Sequence, residues 1–138
     1  MDRQKLVDQI IQHEGIKLKP YTDTVGKLTI GVGRNLTDVG LSDREAMILL
    51  DHDLDDCLHD LTQAFPWFGA LDDVRQRAVV DLRFNLGAAG LQGFRNFLHC
   101  MAVADYAGAA RELLNSKAAT QAPFRYRELA DHIRTGTD

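Results

Sequence analysis

Only one stretch of this chain has strand-like patterning, and it limits the folds available. Residues 17–36 contain Pro20, Gly26, Gly31 and Gly33. Within them Leu28, Ile30 and Val32 alternate with Thr29, Gly31 and Gly33. Alternation of period two places the first set on one face of a strand and the second on the other. The aliphatic face reads as core. The small-residue face reads as the floor of a groove in which something large lies against the backbone. A tight turn near Val25-Gly26 makes the segment a hairpin or meander. Nearly everything else has helical spacing. One small sheet among helices is an α+β chain, mostly helical.

The flanking helices are legible from their ends. Leu6, Val7, Ile10 and Ile11 form one apolar stripe, so a first helix is predicted from about Asp2 to Glu14, stopping at Gly15. Ser42 followed by Glu45 is a capping-box pattern that opens a long helix to about Ala64. Pro66 to Gly69, with Trp67 and Phe68, interrupts it. From Asp72 onward Val74, Ala78, Val79, Leu82 and Leu86 mark a central buried helix, and Gly87, Gly90 and Gly93 punctuate a turn before a helix near Phe94. Two more helices are predicted at roughly 105–115 and 123–134, with Pro123 at an early position that suits proline. The reading is a small N-terminal lobe with a short sheet, a long connecting helix and a helical C-terminal lobe. The lobes fall at about 13–65 and 66–138, and helix 1–14 is a candidate to pack on the second. A cleft between lobes is the default place for a ligand.

Composition excludes several classes. At 138 residues, 45% hydrophobic and 26% charged, the chain fits one soluble globular domain. No run approaches the roughly 20 apolar residues of a membrane span, and no secretory signal opens the sequence. A net charge of −4 argues against nucleic acid as partner. The acids concentrate early: twelve acids and seven bases precede residue 66, against eight and nine after it. Asp51, Asp53, Asp55, Asp56 and Asp60 lack the spacing and glycine of a calcium loop and read as a solvated helix face. Cys57 and Cys100 have no metal-like spacing and read as reduced core thiols. Neither a metal nor a cofactor is expected.

Glu14 continues the apolar stripe of the first helix instead of joining its polar side. A carboxyl turned toward apolar packing is costly unless paired or protonated, and a retained proton is what a general acid needs. The plainer alternative is a helix-terminal Glu bridged to Lys17 or Arg34. Asp23 follows in a polar turn and Thr29 projects from the small-residue face. Two carboxylates flanking a groove, one in apolar and one in wetter surroundings, is an arrangement that glycosidases use.

Glu14, eight residues, Asp23, five residues, Thr29, inside His13-Glu14-Gly15 through Gly31-Val32-Gly33, resembles the catalytic segment of tailed-phage (T-even type) lysozymes. The resemblance continues through Phe84-Asn85-Leu86-Gly87, Gly93-Phe94-Arg95-Asn96, Asp105 to Ala110 and Arg134-Thr135-Gly136-Thr137. It implies that 1–138 is a single lysozyme-like domain, a glycoside hydrolase acting as a muramidase on the β-1,4 bond between N-acetylmuramic acid and N-acetylglucosamine. Glu14 would protonate the glycosidic oxygen. Asp23 would stabilise the oxocarbenium-like transition state and help activate a water that Thr29 holds. Asn35, Phe84, Phe97, Gln121 and Arg125 fall at positions implied to bind substrate, although core packing is an equal reading for Phe84 and Phe97. The implied biology is a monomeric phage or prophage endolysin whose partner is the peptidoglycan glycan strand, with no membrane insertion. It would accumulate in the host cytoplasm and reach the periplasmic wall after a holin opens the membrane.

The chain also departs from the family pattern. Arg34 stands where His is familiar, and an Arg34–Asp53 ion pair is expected to replace a titrating one. The connection Thr37–Gly40 is short, which lowers one wall of the groove, and Ala118 stands in place of a Trp. The acidic balance implies weaker steering toward an anionic wall. Two other readings remain open: a lysozyme-like binding or assembly domain without catalysis, and a lytic transglycosylase, which Asp23 disfavours.

Overall fold

A computed structural model describes all 138 residues. The chain divides into two compact units, Met1–Leu49 and Leu50–Asp138. In the first, helix α1 (Arg3–Glu14) is followed by strands β1 (Lys17–Thr22), β2 (Leu28–Gly31) and β3 (Arg34–Asn35). These form an antiparallel meander in the order β1-β2-β3. Helix α2 (Asp43–Ala64) starts in the first unit and ends in the second. The second unit continues with a 3₁₀ turn (Phe68–Ala70), then α3 (Asp73–Gln92), α4 (Arg95–Ala102), α5 (Tyr106–Leu114), α6 (Lys117–Gln121) and α7 (Pro123–Thr135). No helix is long and apolar enough to cross a membrane.

The helices begin where their caps dictate. The Asp2 side chain accepts the Lys5 backbone N–H at 3.0 Å to open α1. Ser42 Oγ accepts the Glu45 N–H at 3.1 Å while Glu45 Oε2 accepts the Ser42 N–H at 3.2 Å. That is the reciprocal capping box predicted for α2. Two boundaries differ from expectation. Gly87 breaks α3 into two helical segments (φ 75°, ψ 168°), as its glycine predicts, but the chain then returns to helical geometry up to Gln92 where a turn was expected, because Gly90 and Gly93 keep φ negative. The short α6, capped by Ser116, went unread because five residues cannot display a helical period.

The core belongs to the helical unit. Leu61, Phe68, Val79, Leu82, Leu91, Phe97, Met101, Leu113, Tyr126 and Ile133 are buried in one cluster. Helix α7 packs on α3, α5 and α6. The Tyr126 hydroxyl, carried into this core, donates to Asn85 Oδ1 at 2.8 Å, so its polar end is satisfied. Cys57 is buried and Cys100 half-buried, and both are free thiols. Burial pushes each thiol above its usual range, away from nucleophilic use.

The sheet unit corrects the face assignment. Leu28 and Val32 are exposed and Ile30 is half-buried, whereas Thr29 is the buried position. Register explains it. Thr29 is paired on both edges, with Tyr21 on β1 and Asn35 on β3, while Leu28 and Val32 sit at or beyond the strand ends. Likewise no residue of α1 is buried, and Val7 and Ile10 are exposed.

One side chain locks the ends of the helical unit together. Arg75 Nε donates to the Ile133 carbonyl at 2.6 Å and Nη2 to the Arg134 carbonyl at 3.1 Å, capping α7. Its guanidinium also stacks 3.8 Å above the Tyr106 ring and pairs with Asp72 at 2.9 Å. Gly136 ends α7 at φ +68°, and a Cβ there would stand 2.7 Å from Arg75 Nη1, so glycine is required twice over. Burial pushes the Asp72 carboxyl up, but hydrogen bonds from the Arg75 backbone N–H and guanidinium outweigh this and leave it below its ordinary value. A depressed carboxyl contributes stability above its unfolded pKa of about 3.9, and that contribution is lost as pH falls through the folded value. Arg75→Met is therefore expected to cost about 2 kcal/mol, a Tm lower by about 6–8 °C at neutral pH. The deficit relative to wild type should shrink in melts below about pH 3.

Candidate active site

Three residues singled out from sequence, Glu14, Asp23 and Thr29, lie in the sheet unit, and each is held by a different local device. Asp23 closes the β1–β2 turn. Its Oδ1 accepts the backbone N–H groups of Val25 (3.0 Å) and Lys27 (2.8 Å), while its own N–H donates to the Lys27 carbonyl at 2.9 Å. Thr29 Oγ1 donates to that same Lys27 carbonyl at 3.0 Å. The two residues thus share one peptide. Oδ1 of Asp23 is saturated by two donors, while Oδ2 accepts no hydrogen bond from the protein. The Thr29 hydroxyl proton is committed to a carbonyl, so its oxygen can act only as an acceptor toward anything else.

Glu14 is the last residue of α1, and its carboxyl rests on the β2–β3 connection. A Cβ built on Gly33 would lie 3.0 Å from Glu14 Oε2 and 3.1 Å from Cδ. The bare glycine backbone, at φ +68°, is what lets the carboxyl lie there. Of the glycines read as a groove floor, only Gly33 has a side chain laid against it, that of Glu14; a Cβ on Gly31 would meet nothing within 4 Å. The apolar surroundings predicted for Glu14 are not found: the residue is exposed. The stripe it continues stays partly in solvent, so desolvation is not supplied within this unit. Nor is Glu14 a bridged terminal carboxylate, since it makes no ion pair with Lys17 or Arg34.

The expected Arg34–Asp53 pair is replaced. The Arg34 fork is taken by Glu45, with Nη1–Oε2 at 2.6 Å and Nη2–Oε1 at 2.9 Å, and Nη1 reaches the Gly40 carbonyl at 3.3 Å. Glu45 lies in the first turn of α2, eight residues and about two helical turns before Asp53, within reach of a side chain on β3. The Arg34 guanidinium, helped by the Ser42 N–H, holds the Glu45 carboxyl below its ordinary range. Asn35 shapes the loop that follows. Its Oδ1 accepts the Asp38 N–H at 2.9 Å and its Nδ2 donates to Asp38 Oδ2 at 3.0 Å. Asp38 in turn pairs with Lys27 Nζ at 3.1 Å, returning the loop to the turn that carries Asp23.

The remaining sequence-derived candidates lie in the helical unit and separate. Phe84 is 44% exposed and lines a groove of about 570 Å³ with Leu50, Leu54, Leu58, Val80 and Arg125. Arg125 there is already paired with Asp81, at 2.6 Å. Gln121 is exposed at the end of α6. Phe97 is a correction: at 1% exposure it is core, and it reaches only the floor of a cleft of about 210 Å³. Arg95, Asn96, Glu112 and Asn115 line that polar cleft; the sequence marks Arg95 and Asn96 only as part of the Gly93–Asn96 resemblance and offers no signal for Glu112 and Asn115. They come from two segments, the start of α4 and the end of α5, so only folding gathers them. Phe97→Ala should cost about 3–5 kcal/mol in chemical denaturation, and its residual activity, measured well below the lowered Tm, should match wild type.

The phage lysozyme family model matches residues 11–125, a span that includes every candidate named above from Glu14 to Arg125. Probable T4-type lysozyme 2 of Dictyostelium discoideum is 27% identical over 161 aligned positions, covering 96% of this chain and 95% of that protein. Probable T4-type lysozyme 1 of the same organism is 26% identical, covering 94% of each. The pre-baseplate central spike protein Gp5 of Enterobacteria phage T4 is 25% identical over 73% of this chain, which is 22% of its own length. A family model that spans most of the residues, over a meander followed by a helical unit, places the chain in the phage lysozyme family.

Proposed function

We propose that this family member is a muramidase that hydrolyses the β-1,4 bond between N-acetylmuramic acid and N-acetylglucosamine in peptidoglycan, with Glu14, Asp23 and Thr29 as its reacting set. The observation that carries the reading is the pairing of acceptors at the Lys27 peptide. Asp23 Oδ2 and Thr29 Oγ1 each keep the capacity to accept a hydrogen bond, because Asp23 Oδ1 and the Thr29 proton are already engaged, and the proposal is that a single water uses both. A water held by both its hydrogens presents a lone pair outward, as a nucleophile must.

The steps then balance. Glu14 gives its proton to the glycosidic oxygen, the C1–O bond breaks, and positive charge develops at C1 of the muramic residue. Asp23, as a carboxylate, stabilises that charge and draws a proton from the water as its oxygen bonds to C1. The released chain end leaves as a neutral hydroxyl, and the proton on Asp23 returns through solvent to Glu14. Because Glu14 is exposed in the free protein, a bound glycan strand is the component that would exclude water from it.

The same reading proposes a phage or prophage endolysin role, with synthesis in the host cytoplasm and access to the wall after holin action.

Glu14→Gln should lower turbidity clearance of chloroform-treated Gram-negative cells by about 10²–10⁴-fold with an unchanged far-UV spectrum. A variant that keeps more than about a tenth of the rate removes Glu14 from the role of acid. Thr29→Ser should retain most activity and Thr29→Val little, since valine keeps the shape and loses the acceptor. Mass spectrometry of released muropeptides should show reducing ends that carry the mass of one added water. Anhydro-sugar ends would instead identify a transglycosylase, in which the water-holding pair has no task.

A further inference from the structure

The seat of the Glu14 carboxyl is built from the most conformationally permissive kind of backbone. Gly31 and Gly33 flank Val32 at φ +69° and +68°, so the β2–β3 connection turns on the two residues with the greatest conformational freedom. Beyond it β3 is only two residues long and pairs with β2 through Ile30–Arg34 and Thr29–Asn35. A ladder that short does not hold a strand rigidly.

The residue directly after the seat supplies the missing restraint. Arg34 makes a two-pronged contact with Glu45 at 2.6 and 2.9 Å, and Glu45 is itself fixed by the Ser42 N–H at the start of the 22-residue helix α2. Both partners are more than a third exposed. Ion pairs that exposed contribute little to global stability. Their fork-to-fork geometry, in contrast, fixes orientation closely. An element that adds little stability but much orientation, one residue from the seat of the acid, is placed to act on that seat.

We propose that Arg34 and Glu45 are a positioning pair. They tie the Gly33 backbone to the first turn of α2 and thereby hold the Glu14 carboxyl where it meets the glycosidic oxygen. This rests on Glu14 being the acid and extends that reading to two residues that do not touch substrate.

The test is steady-state kinetics on soluble peptidoglycan fragments, paired with thermal melts. Arg34→Met should lower kcat about tenfold, the loss expected when a reacting group drifts by less than an ångström, with KM within about twofold of wild type. Arg34→Lys keeps the charge but cannot span two oxygens, and should fall nearly as far. Asp105→Ala, which removes the α5 cap in the other unit, controls for stability. It should lower Tm at least as much while leaving kcat unchanged. Glu45→Gln, which keeps the volume of the partner, makes the same comparison if Arg34→Met folds poorly. A kcat within twofold of wild type, or a loss no larger than that of Asp105→Ala at equal Tm, overturns the pair. If Glu14→Gln is inactive while Arg34→Met is fully active, only the positioning role fails. If Glu14→Gln is active, the underlying assignment fails first.

Discussion

The sheet unit depends on one peptide group. The Lys27 carbonyl accepts both the Asp23 N–H and the Thr29 hydroxyl, and the Lys27 N–H returns to Asp23 Oδ1. Remove that peptide from its plane and the turn, the buried hydroxyl and one free carboxylate oxygen are all misplaced together. Side chains that converge on one place are commonly held by rigid secondary structure. Here the sheet is too small for that, and a local hydrogen-bond knot takes its place. The Lys27–Asp38–Asn35 chain then draws the loop after β3 toward the same knot.

The two units divide the labour. The helical unit holds the buried core and is closed by Arg75, which caps α7 and stacks on Tyr106. The sheet unit has only Thr29 buried and holds its shape mainly through polar contacts: a capping box, a guanidinium fork and an Asx-type turn. Such contacts contribute modestly to stability and strongly to geometry. Concentrating proposed chemistry in the unit with little core agrees with the general conflict between tight packing and exposed, partly unsatisfied functional groups.

Glu14 carries a lesson about reading apolar stripes. Its place on the helix face was legible, and the inference that this face must be packed was not secure. Spacing reports which residues share a face, but not what covers that face. The same limit explains Leu28 and Val32, whose alternation was read correctly and whose burial was not, because burial in a three-strand meander is decided by cross-strand neighbours. For Phe97 the apolar character was plain, and only packing could choose between core and ligand contact.

What the sequence settled by itself was local and short-ranged. Helix α1 starts at Asp2 and stops at Gly15, Ser42 and Glu45 open α2, Pro123 starts α7, and the turn at residues 23–27 sets Asp23 six residues before Thr29. These follow from capping and turn chemistry acting over three to five residues, which a linear string displays in full. Tertiary structure alone decided that Arg34 meets Glu45 and not Asp53, that Gly33 lies under Glu14, and that Arg95, Asn96, Glu112 and Asn115 share a cleft. Each of those depends on where separate elements cross. A guanidinium takes whichever carboxylate the fold brings within about 3 Å, and no spacing rule along the chain specifies that distance.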